Sequence, residues 1–516
     1  MFPKNRNIKA FILAFSIVLA IGIIINIYYN IYYYINDDFI TRDIFSGRYS
    51  GTADAHVYNI IYPFAALVTF IYSLFPKFDI WGYMMIGFIY FSLFVVLLAT
   101  IQKNLHIHYD LLIIPMFVAT FFYGVCYFSF TFTGAACASA AIFILFILGR
   151  SRISIGLKVT IMMLMVLSFC IRKDTFFMSL PFMFLAIIYC YLESSQKNKI
   201  NEILKWGGCL AGICLILYIV HRVAFSSPKW SDFLIFRSLR KVVHDFVGYP
   251  AFDTARTFYN SLGISHEEFN AVATTGLSGG NTVLDYSVDI RTILAAVGER
   301  GIALKNEISV INRAKSGALS AFTWLKKSPI KYNVYLIIIE ITISCIISFI
   351  NKQSRQLIFQ ILIISSLIAE MLYLGYRGRF TFAVVIDCVA ISLICITSLL
   401  IELINDIQIK EVQNLFFLFY FAVLIIVAVS WNTYINRQQE SFRNRAESTL
   451  KIRQYCHDHA ENSYFEPAFS IASHTYALGN TFDSDFNNLM ILGGWNATSP
   501  EYYDAINKLG VNDDES

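Results

Sequence analysis

Two adjacent carboxylates, Asp37 and Asp38, follow the first long apolar segment of the chain. Asp54 and His56 lie further along the same short polar loop, before the next apolar segment begins at Val57. Carboxylates just outside a hydrocarbon layer can take a proton from a hydroxyl group or hold a divalent metal ion beside a lipid-borne phosphate. We therefore expect Asp37 and Asp38 to be catalytic residues, and to be the ligands of any bound Mg²⁺ or Mn²⁺. The alternative is a solvated loop that needs acids only for solubility.

The residues before this acidic pair indicate its depth in the membrane. Tyr32, Tyr33 and Tyr34 form an aromatic run directly after the first apolar segment. Tyrosine is enriched where a membrane meets water. We expect the two carboxylates to lie at the level of the lipid headgroups, within reach of a phosphate.

The composition is that of an integral membrane protein. Of the 516 residues, 57% are hydrophobic and only 15% are charged, and the mean hydropathy is +0.57. Apolar segments long enough to cross a bilayer recur along most of the chain, which favours helices over the weak alternating pattern of a β-barrel. We expect an all-α polytopic membrane bundle of about 11–13 transmembrane helices, located in the cell membrane.

Charge and cysteine content exclude further classes. The net charge is only +4, and the basic residues form short clusters between apolar segments, so we expect membrane lipids as partners and no nucleic acid. All cysteines except Cys456 fall inside apolar segments and show no paired spacing. Neither a disulfide framework nor a zinc site is therefore expected.

Shifts in composition divide the chain into four parts. Residues 1–225 are expected to form an N-terminal transmembrane module whose first outer loop spans 31–56. Residues 226–331 are polar and are expected to form an extracytoplasmic helical loop domain, and 332–430 return to the membrane. The tail, 431–516, combines a polar helix with short strand-like segments and is expected to be a small extracytoplasmic α/β appendage.

The positive-inside rule assigns a side to each loop. It places basic clusters such as Arg150 and Arg152 in the cytoplasm. If Val57–Phe75 is a span, the turn Pro76–Asp79 is cytoplasmic, and Leu111–Phe130 must begin and end outside. We therefore expect Leu111–Phe130, which contains a proline and a glycine, to form two half-helices and not one crossing. The alternative is an ordinary span with one basic cluster on the wrong side.

Four basic residues lie on the outer side in this topology. Arg172 and Lys173 join two apolar segments, and Arg377 and Arg379 follow a later one. Arginine offers an anion a bidentate fork, and lysine offers a point charge. Because outward basic residues oppose the positive-inside rule, we expect these four to bind a lipid phosphate. The alternative is that the assigned side is wrong.

Three acidic residues, Glu340, Glu370 and Asp387, lie within or near apolar segments. A charge at the centre of a membrane helix costs about 2.5–3.5 kcal/mol on insertion scales, so these residues are expected to face the interior of the bundle. They are compatible with a proton or ion pathway and equally with protonated structural acids.

Several short motifs lie along the chain. They are Asn36-Asp37-Asp38-Phe39 with Ser46-Gly47, Phe75-Pro76 leading to Trp81, Thr131-Phe132-Thr133-Gly134-Ala135, Trp230 with Arg240 and Asp245, and Gly493-Gly494-Trp495 with Ser499-Pro500. Together they resemble the GT-C superfamily of membrane glycosyltransferases, in particular one bacterial branch of it. These enzymes take a sugar from a polyprenyl-phosphate carrier and share an acidic first extracytoplasmic loop.

The resemblance implies that Asp37 or Asp38 occupies the position of the catalytic or metal-holding acid. Some members supply a second acid from the next outer loop. The matching stretch here, Thr131–Thr133, has no carboxylate, so Asp54 or Asp43 is expected to substitute for it.

The same resemblance implies the substrates. The donor would be a polyprenyl-phosphate sugar, and the acceptor a cell-envelope glycan or lipid-linked molecule at the outer face of the membrane. Asp54, His56 and Arg240 are expected to contact the substrate together with the four outward basic residues. Two alternatives remain: a transporter or flippase of lipid-linked glycan that uses the intramembrane acids, and a polysaccharide polymerase that uses outward arginines without an acid acting as a base.

Overall fold

The computed structural model describes residues 4–103, 110–148, 154–193, 199–273, 289–351, 354–467, 474–479, 488–492 and 495–509. This part of the chain is almost entirely helical. In chain order the helices are α1 (Lys4–Tyr28), α2 (Asn36–Ser46), α3 (Tyr62–Leu74), α4 (Ile80–Lys103), α5 (Asp110–Thr120), α6 (Phe122–Cys126), α7 (Phe130–Leu148), α8 (Ile155–Ile171), α9 (Lys173–Glu193), α10 (Lys199–Ala224), α11 (Pro228–Val242), α12 (Arg256–Ser261), α13 (His266–Ala273), α14 (Ile290–Glu307), α15 (Val310–Leu325), α16 (Ile330–Asn351), α17 (Arg355–Arg377), α18 (Phe382–Asn405), α19 (Lys410–Asp458) and α20 (Pro500–Lys508).

Four short strands form two parallel pairs. The strands are β1 (Tyr32–Tyr33), β2 (Tyr127–Phe128), β3 (Tyr464–Pro467) and β4 (Leu489–Leu492). β1 pairs with β2, and β3 pairs with β4.

Nine helices in the described ranges are long and apolar enough to cross a membrane: α1, α4, α7, α9, α10, α16, α17, α18 and α19. This confirms the prediction of a helical, multi-pass membrane protein. α7 and α18 form the centre of the bundle, because nearly all of their residues are buried. The run of small residues from Gly134 to Ala141 in α7 allows neighbouring helices to approach closely.

The two ends of the bundle can be told apart by their contacts. At one end, which we call the loop end, β1 follows α1, and Tyr33 Oη donates a 2.5 Å hydrogen bond to Asp79 at the start of α4. At the other end, which we call the distal end, Lys103 Nζ donates to the carboxylate of Glu402 and to the backbone oxygen of Ile147.

The segment Val57–Phe75 does not connect these two ends, contrary to the prediction from sequence. Helix α3 has 13 residues, or about 20 Å at 1.5 Å per residue, which is shorter than a hydrocarbon layer of about 30 Å. Just before α3, the Ile61 backbone N–H donates to Cys170 at the end of α8. Just after α3, Asp79 contacts Tyr33. Both ends of α3 therefore lie at the loop end, and the turn 76–79 is not on the opposite side from the first loop.

This placement also corrects the expectation of two half-helices over Leu111–Phe130. α5 and α6 are interrupted at Phe121, but they run from residue 110, shortly after the distal end of α4, to β2 at the loop end. The segment is thus one broken crossing. The expectation was wrong because α3 had been counted as a span.

The polar segment after α10 forms a helical layer that packs against the tail. Phe236 of α11 and Leu294 and Val297 of α14 share a buried apolar cluster with Tyr502 and Ile506 of α20. α19 extends without a break from the bundle into the tail, so the boundary expected at 430/431 falls inside this helix.

The tail is also attached directly to the first loop. The Tyr33 N–H donates to the backbone oxygen of Tyr476 at 2.9 Å, and the Leu478 N–H donates to that of Ile31 at 2.8 Å. Thr475 Oγ1 donates to the backbone oxygen of Tyr33 at 2.7 Å. The C-terminal residues therefore help to build the loop end.

Candidate functional site

A polar cavity of about 270 Å³ lies at the loop end. Side chains from α2, the turn between α8 and α9, α11, the turn between α17 and α18, and the tail all contribute to its wall. The lining residues are Asn36, Asp37, Ile40, Asn59, Arg172, Asp174, Arg237, Arg240, Lys241, Asp245, Arg379, Ile491 and Trp495.

Asp37 lies in the first turn of α2 and projects into this cavity. Its backbone N–H donates a 3.0 Å hydrogen bond to the side-chain oxygen of Asn36. Burial raises the pKa of Asp37 above its ordinary value, and the positive charges of Arg172 and Arg240 oppose that rise. A carboxylate with a raised pKa is a better proton acceptor than an ordinary aspartate and can serve as a general base.

Asp38, the second acid of the pair, has a different environment. It is fully buried, does not line the cavity, and accepts a 2.9 Å hydrogen bond from the backbone N–H of Phe130 at the start of α7. Burial raises its pKa well above the ordinary value. The expectation that both acids sit on a surface loop was wrong, because residues 36–46 form a helix that is packed beneath the tail and against α3.

Arg172 faces Asp37 from the turn between α8 and α9. Its Nη2 lies 3.5 Å from Asp174 Oδ2, and its guanidinium stacks over the ring of Phe130 at 4.8 Å. Gly134 in α7 permits this approach, since a Cβ atom there would lie 3.3 Å from the Cβ of Arg172. Lys173, predicted from sequence with Arg172, points elsewhere: its Nζ lies 4.5 Å from the centre of the Tyr58 ring, and it does not line the cavity.

Helix α11 supplies three more basic side chains: Arg237, Arg240 and Lys241. Arg237 Nη2 donates a 2.6 Å hydrogen bond to Asn59, and burial lowers the pKa of Arg237 to about 10, which leaves it charged at neutral pH. Arg240 Nε is buried and has no hydrogen-bond partner among the described residues. It is therefore a donor that is free to bind a ligand.

Sequence reasoning found Arg240 but missed Arg237 and Lys241. The spacing of the three residues could have identified them, because positions i, i+3 and i+4 share one face of a helix. The buried aromatic residues Phe233 and Phe236 mark the packed side of the same helix. The basic cluster on this amphipathic helix could thus have been predicted from the sequence.

Arg379 completes the cationic wall. Its Nη2 lies 3.0 Å from Asp245 Oδ2, and both residues line the cavity. Arg377 does not reach the cavity; its guanidinium stacks on Phe246 at 4.3 Å. Of the four basic residues predicted to bind phosphate, the structure therefore brings only Arg172 and Arg379 to the site.

The lining carries five basic and three acidic side chains, so positive charge is in excess. Two of the acids, Asp174 and Asp245, already pair with Arg172 and Arg379. Such a surface suits an anionic group with several oxygens, such as a phosphate, since arginine binds phosphate oxygens through paired N–H donors.

A divalent cation does not fit at the aspartate pair. Asp37 faces the positive charges of Arg172, Arg240 and Arg237, which would repel a metal ion, and Asp38 does not line the cavity and uses its Oδ1 to accept from the Phe130 N–H. Asp43, another expected substitute, pairs with Arg42, whose Nη2 lies 2.8 Å from Asp43 Oδ1.

Asp54 and His56 do not line the cavity but lie together with Glu501 of α20. Asp54 Oδ1 is 2.6 Å from His56 Nδ1. Burial raises the pKa of Asp54, but hydrogen bonds from His56 outweigh this and the net shift is downward. Burial and the neighbouring charge of Asp54 raise the pKa of Glu501 to about 8. Sequence reasoning missed Glu501, because nothing in the sequence relates the tail to the first loop.

Comparison with known proteins assigns no family to this geometry. The chain matches no protein-family model, no curated protein and no solved structure. Functional assignment therefore depends on the chemistry of the cavity itself.

Proposed function

We propose that the protein is a membrane glycosyltransferase of the GT-C type that moves a sugar from polyprenyl phosphate to a cell-envelope acceptor at the outer face of the membrane. One observation carries the proposal: Asp37, a carboxylate with a raised pKa, shares a cavity with Arg172, Arg237, Arg240 and Arg379. A proton acceptor and a phosphate-binding surface are the two parts that such a transfer needs.

In the proposed reaction an acceptor hydroxyl attacks the anomeric carbon of the donor sugar. Its proton passes to Asp37 as the new carbon–oxygen bond forms. The bond between the anomeric carbon and the phosphate oxygen breaks, and polyprenyl phosphate leaves with the electron pair. The reaction needs no oxidant and no further reactant.

The arginines would stabilise the leaving phosphate. Its negative charge increases as the bond to the sugar breaks, so donors that are already in place lower the barrier. Arg240 has a buried donor with no partner among the described residues, and Arg172 and Arg237 lie close enough to Asp37 to influence its pKa. These three residues are the best candidates for the phosphate site. Arg379, paired with Asp245, would contribute a further positive charge to the same cavity.

The location of the cavity suits a lipid-borne donor. Arg172 and Arg379 each follow the end of an apolar helix at the loop end, so a headgroup in the cavity could remain attached to a chain in the bilayer. The outward side of the loop end is inferred from the basic clusters of the sequence. Asp54, His56, Lys173 and Arg377 have no place in this donor site.

The transporter alternative would place the essential residues inside the membrane. Glu340 is fully buried, and its Oε1 accepts hydrogen bonds from Tyr420 and Thr397, which links α16 to α18 and α19; its Oε2 has no hydrogen-bond partner in the described ranges. Asp387 is buried, and neither of its carboxylate oxygens has a hydrogen-bond partner in the described ranges. Neither carboxylate oxygen of Glu370 has a hydrogen-bond partner in the described ranges either, but Glu370 is only partly buried, so the fully buried Asp387 is the intramembrane acid compared with Asp37.

The proposal can be tested without knowledge of the acceptor. Purified protein is incubated with a panel of radiolabelled polyprenyl-phosphate sugars, and release of free sugar by transfer to water is measured. We expect release from at least one donor, and loss of release in Asp37→Asn but not in Asp387→Asn. No release from any donor in the panel, or equal release in Asp37→Asn, would contradict the proposal. The second result, together with release lost in Asp387→Asn, would place the essential acid inside the bundle and not in the cavity.

A further inference from the structure

We propose that Asp54, His56 and Glu501 form a binding site for one divalent transition-metal ion, Mn²⁺ or Zn²⁺. Each residue offers one ligand atom, and the three atoms lie within 4.8 Å of one another. Two carboxylate oxygens and one imidazole nitrogen form a donor set that both metals accept. This site is separate from the cavity around Asp37.

The first two ligands are held in place by their surroundings. The His56 backbone N–H donates to Asp54 Oδ1 at 2.8 Å, and the His56 ring lies 21° from the plane of the Trp230 ring at a centroid distance of 5.0 Å. Phe225 packs edge-on against the same imidazole at 5.3 Å. A fixed imidazole beside a carboxylate loses little freedom on binding a metal ion, which favours affinity.

Glu501 is the observation that points to a ligand. Its side chain is only 3% exposed, and its Oε1 atom has no hydrogen-bond partner among the described residues. It lies beside Asp54, and one ligand atom from each of Asp54, His56 and Glu501 falls within the same 4.8 Å group. A cation held by this group would give the buried Glu501 carboxylate a partner.

The donor set and the access to it indicate the class of metal. Ca²⁺ and Mg²⁺ prefer oxygen ligands alone, whereas an imidazole ligand favours transition metals. The Asp54 side chain is 31% exposed, which leaves a path for entry and room for water as a further ligand.

A bound metal ion would link the first loop to the tail. Asn59, three residues after His56, and Trp495, six residues before Glu501, both line the cavity. A metal ion that joins the two segments would stabilise this part of the wall without touching the substrate. The inference therefore does not depend on which substrate the cavity binds.

Metal binding to the full chain tests the proposal directly. Detergent-purified protein is stripped with a chelator and dialysed separately against Zn²⁺, Mn²⁺, Mg²⁺ or Ca²⁺ at micromolar free concentration, and bound metal is measured by elemental analysis. We expect about one equivalent of Zn²⁺ or Mn²⁺ per chain and no retained Mg²⁺ or Ca²⁺. Glu501→Gln and His56→Asn should each weaken binding at least about tenfold.

Asp504→Asn is the matched control, because Asp504 is an exposed acid on the same helix as Glu501. It should bind metal as the unchanged protein does. No retained transition metal in the unchanged protein, or equal affinity in Glu501→Gln and Asp504→Asn, would overturn the proposal. The two ligand variants lie on different segments, so a folding defect in one leaves the other decisive. Because bound metal is measured and not transfer, failure here is distinct from failure of the proposed function.

Discussion

The Asp38 carboxylate accepts a hydrogen bond from the backbone N–H of Phe130, with 2.9 Å between Oδ1 and the nitrogen. This contact joins the first turn of α2 to the first residue of α7, the most buried helix of the bundle. It fixes the position of Asp37, the neighbouring residue, relative to the membrane helices. The two adjacent acids therefore have different roles: Asp38 anchors α2, and Asp37 faces the cavity.

Asp38→Ala should destabilise the protein, whereas Asp38→Asn should be tolerated. Alanine removes the acceptor for the Phe130 N–H inside the protein, and leaving a buried donor unpaired costs about 1–3 kcal/mol. Asparagine keeps an oxygen at the same place. Thermal unfolding of the two purified variants measures the difference. Equal midpoints for Asp38→Ala and the unchanged protein would show that the contact does not support the fold.

Arg379→Gln should weaken donor binding, whereas Arg377→Gln should not. Arg379 lines the cavity and Arg377 stacks on Phe246 outside it, although the two lie two residues apart. The apparent KM for the active polyprenyl-phosphate sugar should rise for Arg379→Gln and stay unchanged for Arg377→Gln. The opposite ranking would mean that the donor phosphate binds elsewhere.

Arg240→Gln should move the pH dependence of transfer upward. Asp37 must be deprotonated to act as a base, so activity falls as the pH falls through its pKa. The positive charge of Arg240 lowers that pKa, and its removal leaves the raising effect of burial less opposed. The acidic limb of kcat/KM against pH should therefore shift to higher pH. Arg377→Gln serves as the reference variant. If the acidic limb of Arg240→Gln lies at the same pH as that of Arg377→Gln, the charge of Arg240 does not act on Asp37.

Introduced cysteines can establish which side the loop end faces. Cys456 lies outside the apolar segments but is buried, so it is a poor labelling site. Glu461 is exposed near the end of α19, and Gln408 is exposed at the distal end. An impermeant maleimide should label Glu461→Cys in intact cells and Gln408→Cys only after the membrane is opened. The reverse pattern would place the cavity in the cytoplasm.

The long membrane helices, α7 and α18 among them, were predictable from sequence because each is a long apolar segment. Short apolar helices at the membrane surface could not be distinguished from membrane spans in this way. α3 is as apolar as a span, and only its length and the contacts of Ile61 and Asp79 show that it stays at one end. Hydropathy measures transfer into an apolar environment and cannot distinguish lipid from a protein interior.

The site was predictable in part. Asp37, Arg172, Arg240 and Arg379 carry signals in their type and their place beside apolar segments, and the structure brings these four together. The sequence could not separate Asp37 from Asp38, because neighbouring residues on a helix face directions about 100° apart, and only the packing of α2 decides which one is buried.

The pairing of the tail with the first loop was also hidden. Contacts such as that of Tyr33 with Tyr476 join residues more than 400 positions apart, and neither segment has a sequence pattern that predicts this pairing. Glu501 and Trp495 reach the loop end only through this long-range contact.

Stability provides a control for the role of Asp37. Its pKa is raised in the folded protein, so folding favours the protonated acid. The stability that this provides is present at low pH and is lost as the pH rises through the folded-state pKa. At neutral pH the neutral variant Asp37→Asn should therefore be at least as stable as the unchanged protein, as measured by thermal unfolding. A clear loss of stability would mean that Asp37 has a structural role.

Transfer by Asp37→Asn tests the central claim most directly. Asparagine keeps the shape of the side chain but cannot accept the proton, and loss of a positioned base typically slows a reaction by about 10²–10⁴-fold. The measurement is single-turnover sugar release, together with equilibrium binding of polyprenyl phosphate to the same preparation. We predict a rate reduced at least about a hundredfold with polyprenyl-phosphate affinity retained. A near-normal rate in a folded Asp37→Asn variant that binds the lipid would contradict the account.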